Sequence, residues 1–147
     1  RLMKEGHADG IHMEATAADA PKLKALVHAG VPVMGHLGIT KQKIVRTGSI
    51  QIQGRTAASA ASAVADAVAL ANAGAFALIL ECIPDRLGQI ITRSLEIPTI
   101  GIGAGPDCDG QALVTQDMLG MFKEMSPRFL KVYLDLTQII VTALTQF

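Results

Sequence analysis

The sequence predicts an α/β fold built on a parallel sheet, and three observations carry that reading. Short apolar runs alternate with longer amphipathic or alanine-rich stretches, the runs are mostly continuous, and glycines stand where the intervening helices would stop. Continuous apolar strands are those covered on both faces, as parallel strands joined by helices are.

Five candidate strands follow, at Gly10–Glu14, Val31–His36, Phe76–Glu81, Thr99–Gly103 and Ala112–Thr115. Helices are expected at about Asp19–Ala29, Thr56–Ala73 and Asp85–Leu95, with Gly30 and Gly74 in left-handed caps. The Ala- and Ser-rich composition of Thr56–Ala73 favours the helix and lets it lie close against a sheet. Behind the N-cap candidate Ser126 and Pro127, the stretch Arg128–Phe147 carries an apolar stripe through Phe129, Val132, Leu136, Ile140 and Leu144. That stripe predicts a final, core-facing helix. The opening Arg1–Gly6 reads as the last turn of a helix already under way, so a segment upstream of Arg1 is expected.

Half of the 147 residues are apolar, and no Gly-, Ser- or Pro-rich linker divides them, which reads as one domain or part of one. A complete (β/α)8 barrel takes roughly 250 residues. About five strands in this length therefore make either a small open α/β sheet or a portion of a barrel.

Composition also excludes partners. Thirteen basic residues balance thirteen acidic ones, there is no Trp, and 3% of residues are aromatic, so neither a phosphate-neutralising surface nor base-stacking platforms are on offer. The longest apolar run, Ala75 to Leu80, falls far short of the roughly 20 residues that span a bilayer. With no signal segment and with Cys82 and Cys108 lacking metal-ligand spacing, the sequence reads as a cytoplasmic protein with free thiols.

In parallel α/β proteins the reactive side chains gather at the carboxyl ends of the strands. Three candidate strands end on polar residues. In Ile11-His12-Met13-Glu14 the period of two puts His12 and Glu14 on one face. A lone carboxylate there is more often a helix cap or surface charge than a ligand. In Gly35-His36-Leu37-Gly38 two glycines flank a histidine and allow close backbone approach. A hydrogen-bonded structural histidine accounts for His36 equally well. In Phe76-Ala-Leu-Ile-Leu-Glu81 five apolar residues run into a carboxylate, with Pro84 ready to open a helix. A partly desolvated carboxylate is a stronger base toward a carbon acid, which makes Glu81 the leading candidate.

The run Gly101-Ile-Gly-Ala-Gly105-Pro106 misses the dinucleotide spacing and is expected to turn the chain, with Asp107 and Asp109 as turn residues. His7 and His28 have no partner at metal-ligand spacing.

Taken in order, five segments resemble the ketopantoate (3-methyl-2-oxobutanoate) hydroxymethyltransferase family. They are Val31-Pro-Val-Met-Gly-His-Leu-Gly-Ile-Thr40, Gln53-Gly-Arg55, Gly74-Ala-Phe-Ala-Leu-Ile-Leu-Glu-Cys-Ile-Pro84, Ile97-Pro-Thr-Ile-Gly-Ile-Gly-Ala-Gly105 and Asp109-Gly-Gln-Ala-Leu-Val114, followed by Asp117-Met-Leu-Gly120. The resemblance implies the C-terminal part of a (β/α)8 TIM-type barrel, about five βα units, that uses Mg²⁺. It implies transfer of a hydroxymethyl group from 5,10-methylenetetrahydrofolate to 2-oxoisovalerate. Glu81 stands in the place of the base, Glu14 in that of a metal ligand, and His12 and His36 in substrate-binding places. A homo-oligomer is implied as well.

Departures accompany the match. His12 stands where the family has Lys, Ala15-Thr16 replace a Gly-Gly pair, and Gly48-Ser-Ile-Gln51 replaces a Gly-Gly-Tyr-Lys segment. The two metal-binding aspartates of the family lie upstream of the matched part. Two alternatives stay open: a catalytically inactive remnant of the enzyme, and a Mg²⁺-dependent C–C lyase of the phosphoenolpyruvate/pyruvate barrel group.

Overall fold

The structure, a computed structural model, describes residues 1–39, 45, 48, 52–121 and 127–147. Two compact units divide it, Arg1–Gln111 and Ala112–Phe147.

The first unit is a parallel sheet with strands β1 (Ile11–Glu14), β2 (Val33–Gly38), β3 (Ala77–Glu81), β4 (Thr99–Ile102) and β5 (Gly110–Gln111), adjacent in chain order. Helices α1 (Ala20–His28), α2 (Ala57–Asn72) and α3 (Asp85–Arg93) connect them, α1 behind a 3-10 turn at Ala17–Asp19. Parallel crossovers are right-handed, so strands laid down in unbroken order place every helix on the same face. That is the winding of a (β/α) barrel; a doubly wound sheet would reverse its order at a switch point.

The core confirms the one-sided cover. Leu23 of α1, Ala67 and Leu70 of α2, and Leu87 and Ile91 of α3 pack with Val33, Leu37, Leu78 and Leu80 from the sheet. Alanines on α2 bring the helix in close, and its start is capped by Thr56, whose Oγ1 accepts from the Ser59 N–H at 3.2 Å. Both predicted glycine caps appear, Gly30 at φ 80° and Gly74 at φ 101°.

By the period of two, the other face carries His12, Glu14, Met34, His36, Gly38, Ala77, Ile79, Glu81, Ile100 and Ile102. Register aligns them in rows: Glu14 beside His36 beside Ile79, and Gly38 beside Glu81 beside Ile102. Each polar group therefore lies near a strand's carboxyl end, on the face opposite the helices.

The first four strands lie where the apolar runs placed them, but the fifth does not. Pairing with β4 occurs at Gly110–Gln111, and Thr115 already opens α4 (Thr115–Met118). Asp109 explains the shift. Its carboxylate accepts from the Thr99 N–H at 2.8 Å and from Thr99 Oγ1 at 3.1 Å, which pins the chain to β4 one residue before Gly110. Thr99 is fully buried, and its hydroxyl also meets Thr92 Oγ1 at 2.8 Å. Asp109 thus has a specific anchoring task beyond that of a turn residue.

Those hydrogen bonds, first from the Thr99 backbone and then from its hydroxyl, hold the Asp109 carboxyl below its ordinary value. The folded state then binds fewer protons than the unfolded one, so the contribution is complete above the unfolded value near pH 4 and is lost as pH falls through the folded value. Asp109→Asn should lower stability at pH 7 and narrow the gap to the parent on acidification below about pH 4. Urea unfolding at the two pH values reads this. An unchanged midpoint at pH 7 would remove Asp109 from the anchor.

The second unit holds α4 and α5 (Leu136–Gln146). The predicted helix over Arg128–Phe147 is corrected here: residues 128–135 are not helical, and the stripe does not face a core. Phe129, Val132, Ile140 and Leu144 are all exposed. Backbone hydrogen bonds explain the late start, since Tyr133 N–H donates to the Met118 carbonyl and Leu136 N–H to that of Leu119. Asp135 then caps α5 by accepting the Gln138 N–H at 3.0 Å. The N-cap candidate Ser126 lies outside the described residues. Among the described residues no helix is long and apolar enough to cross a membrane.

Candidate active site

The site grows from the carboxyl end of β3. Leu78 and Leu80 are fully buried against the helices, so the alternation turns Ile79 and Glu81 to the opposite face. The backbone at Glu81 is fixed from both sides: Ile39 N–H donates to the Glu81 carbonyl at 3.0 Å, and Cys82 N–H donates to the Ile102 carbonyl at 2.9 Å. Cys82 then takes φ 51°, uncommon for a residue with a side chain, and turns the chain toward α3. The Cys82 carbonyl accepts from the Gln53 N–H at 3.2 Å, tying the Gln53-Gly-Arg55 segment to this strand end.

Gly38 makes the approach of β2 possible. It has φ 104°, and a Cβ there would overlap the Glu81 carbonyl oxygen. The glycine that the sequence placed at the mouth of a site thus lets two strand ends meet.

Three of the four predicted site residues come into direct contact. His36 is buried, and its Nε2 lies 3.0 Å from Glu81 Oε2, at ion-pair distance but without well-aligned hydrogen-bond geometry. Its Nδ1 lies 2.9 Å from His12 Nε2, with ring centroids 4.9 Å apart and planes tilted by 34°. Glu81 keeps 28% of its side chain exposed, enough to meet a small ligand. Partial burial pushes the His12 imidazole below its ordinary value, and neighbouring His36 adds to this, while Glu14 and Glu81 pull the other way.

The fourth, Glu14, sits beside His36 in the sheet, and Ala15 N–H donates to the His36 carbonyl at 3.3 Å. Its Oε2 is buried without a hydrogen-bond partner among the described residues. A buried carboxylate oxygen left without a donor suits a hard cation, and Mg²⁺ is commonly held through one or two carboxylates plus water and substrate oxygens. Among the described residues no cluster of three or more His, Cys, Asp or Glu side chains could hold a metal ion. Glu14 therefore fits as one ligand of such an ion and cannot form its site alone.

A cavity of about 170 Å³ opens on the helix side of the same strands, lined by Leu37, Gly38, Gln53, Gly54, Ser59 and Asp66 among others. Glu14, His36 and Glu81 are not among its lining residues, so this space and the polar cluster are distinct features. The histidines His7 and His28 are exposed and lie apart from the cluster.

The environment of the thiol next to the site disfavours its thiolate. Burial, aided by the Glu81 carboxylate, pushes the Cys82 thiol up to about 11. Against an ordinary thiol near 8.5, the reactive thiolate is scarcer by about two orders of magnitude at neutral pH. Iodoacetamide at pH 7.5 should leave Cys82 largely unmodified in the folded protein and label it in urea, as read by mass spectrometry. Rapid labelling of the folded protein would contradict the environment described.

Strands in chain order, helices on one face, and a carboxylate–histidine cluster at the strand ends of the other define the class: a parallel α/β protein of the barrel type with its candidate site at the carboxyl ends of the strands. The chain belongs to the ketopantoate hydroxymethyltransferase family, whose model matches residues 1–147. It is similar to the 3-methyl-2-oxobutanoate hydroxymethyltransferase of Moorella thermoacetica, 51% identical over 147 residues, which are 100% of this chain and 55% of the relative. The enzymes of the same name from Clostridium novyi (47% over 140 residues, 95% of this chain and 51% of the relative) and Nitratidesulfovibrio vulgaris (46% over 147 residues, 100% and 48%) are also similar. The chain spans about half the length of the curated relatives it matches. Family membership bears out the resemblance read from the motifs and decides against the phosphoenolpyruvate/pyruvate lyase alternative.

Proposed function

We propose that the protein transfers a hydroxymethyl group from 5,10-methylenetetrahydrofolate to 2-oxoisovalerate, giving ketopantoate for pantothenate synthesis, with Glu81 as the base. One observation carries the reading: a partly exposed carboxylate at a strand's carboxyl end, with its backbone pinned on both sides and a histidine at 3.0 Å.

Glu81 takes the proton from C3 of 2-oxoisovalerate. The resulting carbanion carbon bonds to the one-carbon unit of the folate, whose bonds to nitrogen break, and water supplies the hydroxyl of the product. His36 and His12 line the substrate's side of the cluster. A Mg²⁺ ion held in part by Glu14 would supply Lewis acidity to the 2-oxo acid, acidifying the C3 proton. Family relatives named as hydroxymethyltransferases support a one-carbon co-substrate. We further propose a homo-oligomer, supported by the exposed apolar residues Ile139, Ile140, Val141 and Leu144 on α5.

The test is turnover. The protein supplied with both substrates and Mg²⁺ should form ketopantoate and tetrahydrofolate in equal amounts, as measured by mass spectrometry. Neither product from folded protein would favour the inactive-remnant alternative.

A further inference from the structure

His12 departs from the family's lysine, and the structure gives it a partner that a substrate-facing residue does not need. It lies on β1 two positions from the register partner of His36, so the two rings are diagonal neighbours on one face. Their nitrogens meet at 2.9 Å, and the far nitrogen of His36 meets Glu81 at 3.0 Å.

Proton bookkeeping orders this chain. An ionised carboxylate only accepts hydrogen bonds, so the 3.0 Å approach of His36 Nε2 to Glu81 Oε2 is favourable only when Nε2 carries the hydrogen. In a neutral imidazole the other nitrogen is then an acceptor. His36 Nδ1 therefore needs a donor, and His12 Nε2 is the atom in reach. The tautomer of one histidine is set by the bond its second nitrogen makes.

We propose that His12 is a positioning residue: it donates Nε2–H to His36 Nδ1, which fixes His36 as the Nε2–H tautomer and places that N–H, out of hydrogen-bond alignment, 3.0 Å from the Glu81 carboxylate. The order His12 to His36 to Glu81 keeps an N–H rather than a lone pair facing the near oxygen of the Glu81 carboxylate, with its second oxygen left for a proton from substrate. The proposal rests on the reading of Glu81 as the base only for its effect on rate.

Imidazole ¹⁵N–¹H correlation spectra of the labelled protein at pH 8 test it. The expected pattern for His36 is a bare Nδ1 and a protonated Nε2. His12→Phe keeps a ring but offers no donor, and should erase that preference. His12→Gln, whose amide can donate, should restore it. With His12→Phe the exchange of the 2-oxoisovalerate C3 proton should slow by about tenfold to a hundredfold, and His12→Gln should recover most of it. A protonated Nδ1 on His36 in the parent protein overturns the proposal, because the chain would then run in the opposite direction. An unaltered His36 tautomer in a folded His12→Phe variant overturns it as well. The expected tautomers with no exchange in any form would instead refute Glu81 as the base and leave the hydrogen-bond order standing.

Discussion

Replacing Glu81 by Gln should slow exchange of the 2-oxoisovalerate C3 proton by about 10²- to 10⁴-fold, the range that a positioned general base contributes. Glutamine keeps the volume, and Leu78 and Leu80, which carry the buried packing of β3, are untouched. What it lacks is a basic oxygen. Substrate affinity should therefore change far less than the exchange rate, which NMR in D₂O and a separate binding titration distinguish. Exchange at the parent rate would take Glu81 out of the mechanism.

The second large effect is on the fold. Gly38→Ala should destabilise the protein by about 2–5 kcal/mol, combining about 1–2 kcal/mol for a left-handed conformation with about 1–3 kcal/mol for overpacking. The overlap is with the Glu81 carbonyl, which also accepts the Ile39 N–H, so backbone rather than a mobile side chain must move. Against a total stability of about 5–15 kcal/mol, this threatens folding itself. Chemical denaturation of parent and variant reads the loss. A variant within about 1 kcal/mol of the parent would show that β2 and β3 do not meet as described.

Much of the architecture was legible because the residues that build it act locally. The apolar run through Ala77–Leu80 reads as a covered strand, and its alternation turns Glu81 away from Leu78 and Leu80. Thr56 with Ser59, and Gly74 after Ala73, bracket α2 without help from the rest of the chain. The fifth strand was displaced because a short apolar run such as Ala112–Val114 reads the same in a strand or a packed loop. What fixes the pairing is Asp109 reaching back to Thr99, a contact between residues ten apart. The last helix was overextended for a similar reason: the stripe through Phe129 and Val132 has helical spacing, while Tyr133 and Leu136 bond to the end of α4. A usable signal was present in Asp135 and Gln138, a cap and its third residue.

The site was legible residue by residue and illegible as a cluster. Period two assigned His12 and Glu14 to one face, and strand ends singled out His36 and Glu81. Only the register between β1, β2 and β3 reveals that His36 stands between His12 and Glu81, and no apolar pattern encodes register across 24 or 45 residues of intervening chain.

The central claim is that these strand ends remove a proton from a 2-oxo acid carbon with help from a divalent cation. The direct measurement is the loss of the C3 proton signal of 2-oxoisovalerate in D₂O, followed by NMR with Mg²⁺ and again with excess chelator, in the absence of folate. Rapid exchange that needs both the protein and Mg²⁺ is the predicted result. Exchange no faster than in buffer containing Mg²⁺ alone, from protein shown to be folded, would contradict it.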